Sequence, residues 1–114
     1  MINRLSIVNI AIINKLTINF NDGLNIITGT TGSGKSIIIN SISYLLGAKF
    51  NKDLIRTGSN KASIEADFII DGHKVTLRRE FTSKGINFNY LDDRKVSLKE
   101  FRKAGSDIVD MHGQ

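Results

Sequence analysis

Hydrophobic residues alternate with polar ones at the start of this chain, crowd together after residue 36, and alternate again through its middle. Leu5 and Ile7, then Ile10 and Ile12, give two short strand-like runs. Leu16, Ile18 and Phe20 alternate with Lys15, Thr17 and Asn19. Strict alternation puts the apolar residues on one face of a half-buried strand. The first runs therefore predict a hairpin-like pair. The turn residues Asn21-Asp22-Gly23 follow, then a third, buried strand from Leu24 to Thr28. From about Lys35 to Leu46 the pattern becomes helical. Ile38, Ile42, Leu45 and Leu46 share a face that Ile37 and Ile39 widen, which predicts a helix buried between layers. Gly47 is placed to stop it.

Residues 48–60 form a polar connector in this reading. Ile64, Ala66, Phe68 and Ile70 alternate, Asp71-Gly72 turns, and Val75 and Leu77 return, the strongest hairpin pattern in the chain. Arg78 and Arg79 fall on opposite faces of that strand. Turns at Ser83-Lys84-Gly85 and Asp92-Asp93-Arg94 bracket a strand carrying Ile86, Phe88 and Tyr90. Ser97 followed by Glu100 has the form of a capping box, predicting a short helix. Ile108 to Met111 predicts one more strand.

The chemistry sits between the third strand and the helix. Residues 29–36 read GTTGSGKS, which fits the phosphate-binding P-loop. A triphosphate concentrates negative charge, and backbone N–H groups can solvate it where no Cβ blocks their approach. Gly29, Gly32 and Gly34 allow that curl. Thr30, Thr31 and Ser33 are small and leave room. The following helix directs its unpaired N–H groups and positive dipole end at the phosphates. Lys35 is expected to bridge the β- and γ-phosphates, and the Ser36 hydroxyl to bind Mg²⁺. ATP and Mg²⁺ are thus the expected cofactors.

Length and composition narrow the setting. The 114 residues suffice for one small domain and are short for a complete P-loop ATPase. With no cysteine, disulfides and thiolate metal sites are excluded, and the two histidines, His73 and His112, do not make a zinc site alone. The net charge of +5 suits a polyanionic partner, although a lysine-rich composition raises the charge everywhere. No apolar stretch approaches a membrane span, and Ser6 and Asn9 interrupt any signal-peptide core.

Two strands before the loop, an apolar helix after it and an antiparallel meander do not match a small kinase or a GTPase. That order suggests the N-terminal lobe of an ABC-type ATPase head. RLSIVNIAIINKLTINFNDGLNIITGTTGSGKSIIINSISYLLG, at residues 4–47, resembles the start of the RecN family, bacterial SMC-like ATPases of double-strand-break repair. DLIRTGS follows at the place where the family carries an arginine before a glycine. RREF and the meander lead to a DDR turn where the family often has N-G-R. IVDMHGQ resembles the segment holding the family's Q-loop glutamine.

The resemblance implies a P-loop NTPase fold of class α/β, an ABC/SMC-type head lobe over residues 1–114 with a mixed sheet, one buried P-loop helix and an antiparallel meander. It implies that Gln114 approaches Mg²⁺ and the γ-phosphate, and that Arg56 lies near the nucleotide or contacts DNA. Asn9 or Asn14 would either line the adenine or simply end a strand. The implied partners are ATP, DNA, the C-terminal half of the head and a second head, in a cytoplasmic, nucleoid-associated protein.

Hydrolysis in that family needs a Walker B aspartate, a catalytic glutamate and a signature motif, and none can be found here. No heptad segment for a coiled coil appears either. No catalytic residue is therefore assigned within this piece, which reads as half a head, truncated or from an incomplete gene product. Alone it is expected to bind nucleotide weakly and hydrolyse it negligibly. The alternatives are a non-catalytic nucleotide-binding or docking fragment, or the N-terminal lobe of another ABC ATPase such as a transport subunit.

Overall fold

The computed structural model describes residues 2–20 and 32–111, with the side chains of residues 32–35 and Met111 left aside. Two strands open the chain, β1 (Ile2–Ile10) and β2 (Ile13–Asn19). Helix α1 (Gly32–Leu45) follows, then a short 3₁₀ turn at Lys52–Leu54. A meander of β3 (Lys61–Ile70), β4 (His73–Thr82), β5 (Asn87–Leu91) and β6 (Arg94–Val96) leads into α2 (Leu98–Met111). The six described strands form one sheet in the order β2-β1-β3-β4-β5-β6. Every pairing among them is antiparallel. The predicted Leu24–Thr28 strand lies outside the described residues.

Alternation gives the sheet two chemically distinct faces. Leu5, Ile7, Ile18, Ile64, Ala66, Leu77 and Phe81 are all buried on one side. Leu5 and Ile7 lie opposite Ala66 and Ile64, and Ala66 in turn opposite Leu77. α1 packs on this face over β3 and β4, and α2 over β5. On the other side Arg4 reaches Asp67 and Glu65, both at 2.8 Å. Burial alone would raise the Asp67 pKa, but hydrogen bonds from Arg4 and Thr76 outweigh it and hold the carboxyl below its ordinary range.

β1 is longer than the two runs read from sequence. Asn9 adopts a left-handed φ of 60°. This shifts the parity of the strand, so Ile10 is buried along with Ile7. Ile12 is not a strand residue: it sits in the β1–β2 turn and is 70% exposed. At Asp71-Gly72 and at Asp92-Asp93 both central residues have positive φ, the hairpin geometry that matches strand twist. The second turn manages this without glycine. Asp92 ties itself down, its Oδ1 accepting from the Thr76 amide at 2.8 Å.

α1 is amphipathic rather than apolar all round. Ile38, Ser41 and Leu45 are buried, whereas Ile39 is 56% exposed. Three-and-four spacing selects one face, and the consecutive isoleucines cannot all occupy it. Gly47 does end the helix, at φ 110°. The Ala48 amide donates to the Ser43 carbonyl and the Gly47 amide to that of Tyr44, both at 3.1 Å, forming a Schellman cap.

Two further expectations change. Residues 48–60 are not merely a polar connector. Phe50 is buried and stacks on Phe81 with ring centroids 3.8 Å apart. The connector also joins the sheet, through a bridge between Ile10 and Ile55. Ile108 to Met111 is not a strand but the last turn of α2. Phe101, Gly105 and Ile108 are buried at helical spacing, so tertiary packing continues the helix past the β-branched pair. The Ser97 half of its capping box forms, with Ser97 Oγ accepting from the Glu100 amide at 3.1 Å, while the Glu100 carboxylate meets the Ser97 hydroxyl rather than its amide.

Candidate functional site

The second half of the P-loop motif is the opening of a helix. α1 begins at Gly32, so Gly32, Ser33, Gly34, Lys35 and Ser36 make up its first turn and a little more. Amides in a first turn have no carbonyl partner within the helix and are free to face an anion. Ser36 is exposed. Gly29, Thr30 and Thr31 lie outside the described residues, and so does Gln114.

The opposite end of α1 is held by protein groups. Arg79, 1% exposed, donates through Nη1 to the carbonyls of Tyr44 and Ala48, both at 2.7 Å. Its Nε donates to Asn89 Oδ1 at 2.9 Å. The guanidinium also lies over the rings of Phe81 and Phe101. Burial, with a smaller contribution from the charge of Arg102, pushes its pKa down to about 10, which still leaves it a cation at neutral pH. From α2, Arg102 Nε donates to the Gly47 carbonyl at 3.0 Å. Both positive charges complement the negative end of the helix dipole. Sequence reading separated the faces of Arg78 and Arg79 but did not identify the buried one as a helix anchor. The only available signal was the alternation, which puts Arg79 in phase with Leu77 and Phe81.

Arg56 is placed beside the β1–β2 turn. Its Nη1 donates to the Ile12 carbonyl at 3.0 Å and its amide to the Asn9 carbonyl at 2.8 Å. Asn9 in turn donates from Nδ2 to the Lys61 carbonyl at 3.1 Å. Of the two readings open for Asn9, the strand-end one accounts for these bonds. Asn14 is exposed on β2, and His73 is exposed at the start of β4. A cleft of about 540 Å³ is lined by Lys49, Phe50, Asn51, Lys52, Gly85 and Asn87. Lys49 to Lys52 follow the C-terminal end of α1, Gly85 lies between β4 and β5, and Asn87 is at the start of β5. Among the described residues no cluster of histidine and carboxylate side chains can hold a metal. Any Mg²⁺ would therefore depend on Ser36, on groups outside the described residues and on the phosphates themselves, which suits an ion that retains much of its water.

The AAA domain family model AAA_23 matches residues 4–111. Over 100% of its length the chain also aligns with the DNA repair protein RecN of Halalkalibacterium halodurans, at 37% identity. The chain belongs to the AAA domain family and is RecN-like throughout. It spans 23% of that RecN, under a quarter of its length. A solved structure from work on ATP-driven dimerization and DNA-stimulated activation of SMC ATPases shares the fold of this RecN-like chain with a TM-score of 0.74. The two are 28% identical, over 96% of this chain and 77% of that one. The SMC head domain from Thermotoga maritima matches with a TM-score of 0.73 and 29% identity, over 90% of this chain and 41% of its own. Among the described residues, no helix is long and apolar enough to cross a membrane.

Proposed function

We propose that residues 1–114 are the N-terminal lobe of an SMC-like ATPase head that binds ATP with Mg²⁺ and serves the repair of DNA double-strand breaks. The observation that carries this is the position of the motif. Residues 32–36 open a helix whose far end is anchored in the sheet, leaving the near end for a ligand. Gly29 to Gly34 supply amides to the phosphates, Lys35 neutralises the β- and γ-oxygens, and Ser36 takes a place on Mg²⁺. When bound, Mg²⁺ offsets charge on the phosphate chain. Gln114 completes the metal and γ-phosphate contacts, its amide offering both a carbonyl and N–H donors.

The RecN and SMC likeness supports the wider role. In this reading the lobe joins a C-terminal half to form a head, two heads close on ATP, and the assembled protein works on DNA in the bacterial cytoplasm, at the nucleoid. In this reading Arg56, half-exposed beside the β1–β2 turn, contacts nucleotide or DNA. The lobe itself carries no catalytic residue and hydrolyses negligibly by itself.

A titration with Mg²⁺-ATP, run beside Lys35→Ala and Ser36→Ala, tests the site. Binding should weaken at least about tenfold in Lys35→Ala, because a charge-assisted contact to phosphate is worth roughly 1.5–3 kcal/mol. Equal affinities in all three proteins would refute the assignment.

A further inference from the structure

The cleft beyond the C-terminal end of α1 is positively charged, and no carboxylate lines it. One wall is the connector from Lys49 to Lys52, and the other is Gly85 and Asn87. Lys49 and Lys52 are exposed, and neither has an ion-pair partner among the described residues. Lys84, exposed and likewise without an ion pair among them, adjoins the second wall. Residues 48–52 and 83–91 contain no acid, and the first carboxylate along the connector is Asp53. Ammonium groups gathered on a concave surface raise the local potential and draw anions. Asn87 lies opposite Phe81 in the β4–β5 pairing, so its side chain shares the face of the Phe50–Phe81 stack. Asn51 spends its Oδ1 on the Asp53 amide, which leaves its two N–H donors unused among the described residues. Ile86, between Gly85 and Asn87, is 52% exposed.

We propose that this cleft is a docking site for an acidic peptide segment of a partner protein, one that carries an aliphatic residue beside its carboxylates. Lys49 and Lys52 meet the carboxylates, Asn51 and Asn87 the peptide groups, and Ile86 the aliphatic side chain. The volume of about 540 Å³ lies in the range of sites that enclose a compact ligand, and a duplex is too wide to enter it. Single-stranded nucleic acid lacks a stacking platform there. Phe50 is the one aromatic residue lining the cleft among those described, and it is only 8% exposed. Its ring is already stacked on Phe81 and met edge-on by Tyr44. α1, about 21 Å long, separates Gly32 at its start from Lys49 beyond its end, so peptide and nucleotide binding can be measured independently.

Fluorescence anisotropy of the full-length protein with a labelled peptide of alternating aspartate and leucine tests this. The peptide should bind saturably, and a counterpart with asparagine in place of aspartate should not. Lys49→Glu/Lys52→Glu should weaken binding at least about tenfold, and Ile86→Ser about threefold. Lys15→Glu reverses an exposed charge on β2 and should leave the affinity within about twofold. All of these variants should keep the wild-type thermal midpoint and Mg²⁺-ATP affinity. Failure of the wild-type protein to bind the peptide, unchanged binding in the double variant, an equal loss in Lys15→Glu, or equal binding of the asparagine peptide would each overturn the docking site. An oligothymidylate supplies the competing arm. If it displaces the peptide and the double variant loses both ligands, the cleft takes nucleic acid and the peptide assignment falls.

Discussion

Arg78 and Arg79 are neighbours on β4, and alternation sends them into opposite worlds. Arg78 lies on the half-wet face, within 4.0 Å of Glu65, Glu80 and Asp93, with its guanidinium 4.2 Å from the centre of the Tyr90 ring. Its Nε is 3.5 Å from Glu80 Oε2 yet makes no hydrogen bond, so the contact is close in distance and poor in alignment. Arg79 lies on the dry face with no carboxylate and donates to Tyr44, Ala48 and Asn89 instead. The residue surrounded by opposite charges should matter less than the one with none. Exposed ion pairs are screened and replaceable by water, whereas a buried cation and the carbonyls it satisfies depend wholly on each other.

The sharpest way to break this contrast is Arg79→Ala. It takes a charged donor from the Tyr44 and Ala48 carbonyls and from Asn89 Oδ1 and opens a cavity, and should cost about 3 kcal/mol or more in denaturant unfolding. A cost near zero would make the buried anchor irrelevant. Gly47→Ala attacks the same end through the backbone. A positive φ and a Cβ 2.5 Å from Arg102 Cγ predict a loss of about 1–3 kcal/mol, read as a lower thermal midpoint.

The wet face has its own test. The folded pKa of Asp67 lies below its ordinary 3.8, so the carboxylate stabilises the fold above that value. The contribution should disappear as pH falls through the lower, folded pKa. Asp67→Asn should flatten the stability profile in that acid range and leave its shape at pH 7–9 unchanged. Arg78→Ala should cost less than about 1 kcal/mol, and raising the salt should shrink that further. Ser41 gives the smallest effect, of opposite sign. Its hydroxyl is fully buried on α1 with no hydrogen-bond partner among the described residues. Ser41→Ala should be neutral or stabilising by up to about 1 kcal/mol in the same unfolding assay.

Local signals were legible where the local chemistry agrees with the global packing. The Asp71-Gly72 hairpin, the Ser97 N-cap and the Gly47 stop all stand as expected, because turn and cap residues act over three or four positions. The misreadings share one cause. Asn9 shifting the phase of β1, Phe50 plugging the connector into the core and α2 running through Ile108 are each decided by partners far along the chain. The P-loop was legible as a motif, and the structure adds its placement at the start of α1. Arg79 as an anchor could not be read locally, because its carbonyl partners sit more than thirty residues away. The first half of the P-loop and Gln114 lie outside the described residues.

The place of β1 has a kinetic consequence. It is sandwiched between β2, its immediate neighbour in sequence, and β3, whose Glu65 lies 61 residues from its partner Arg4. On a ribosome adding about 5–20 residues per second, the opening hairpin emerges first and waits roughly 2–9 seconds for that mate. Meanwhile the edge of β1 that later pairs with β3 is bare. The nascent chain is then most prone to clump or to recruit a chaperone, and slower translation before residue 70 would lengthen that interval.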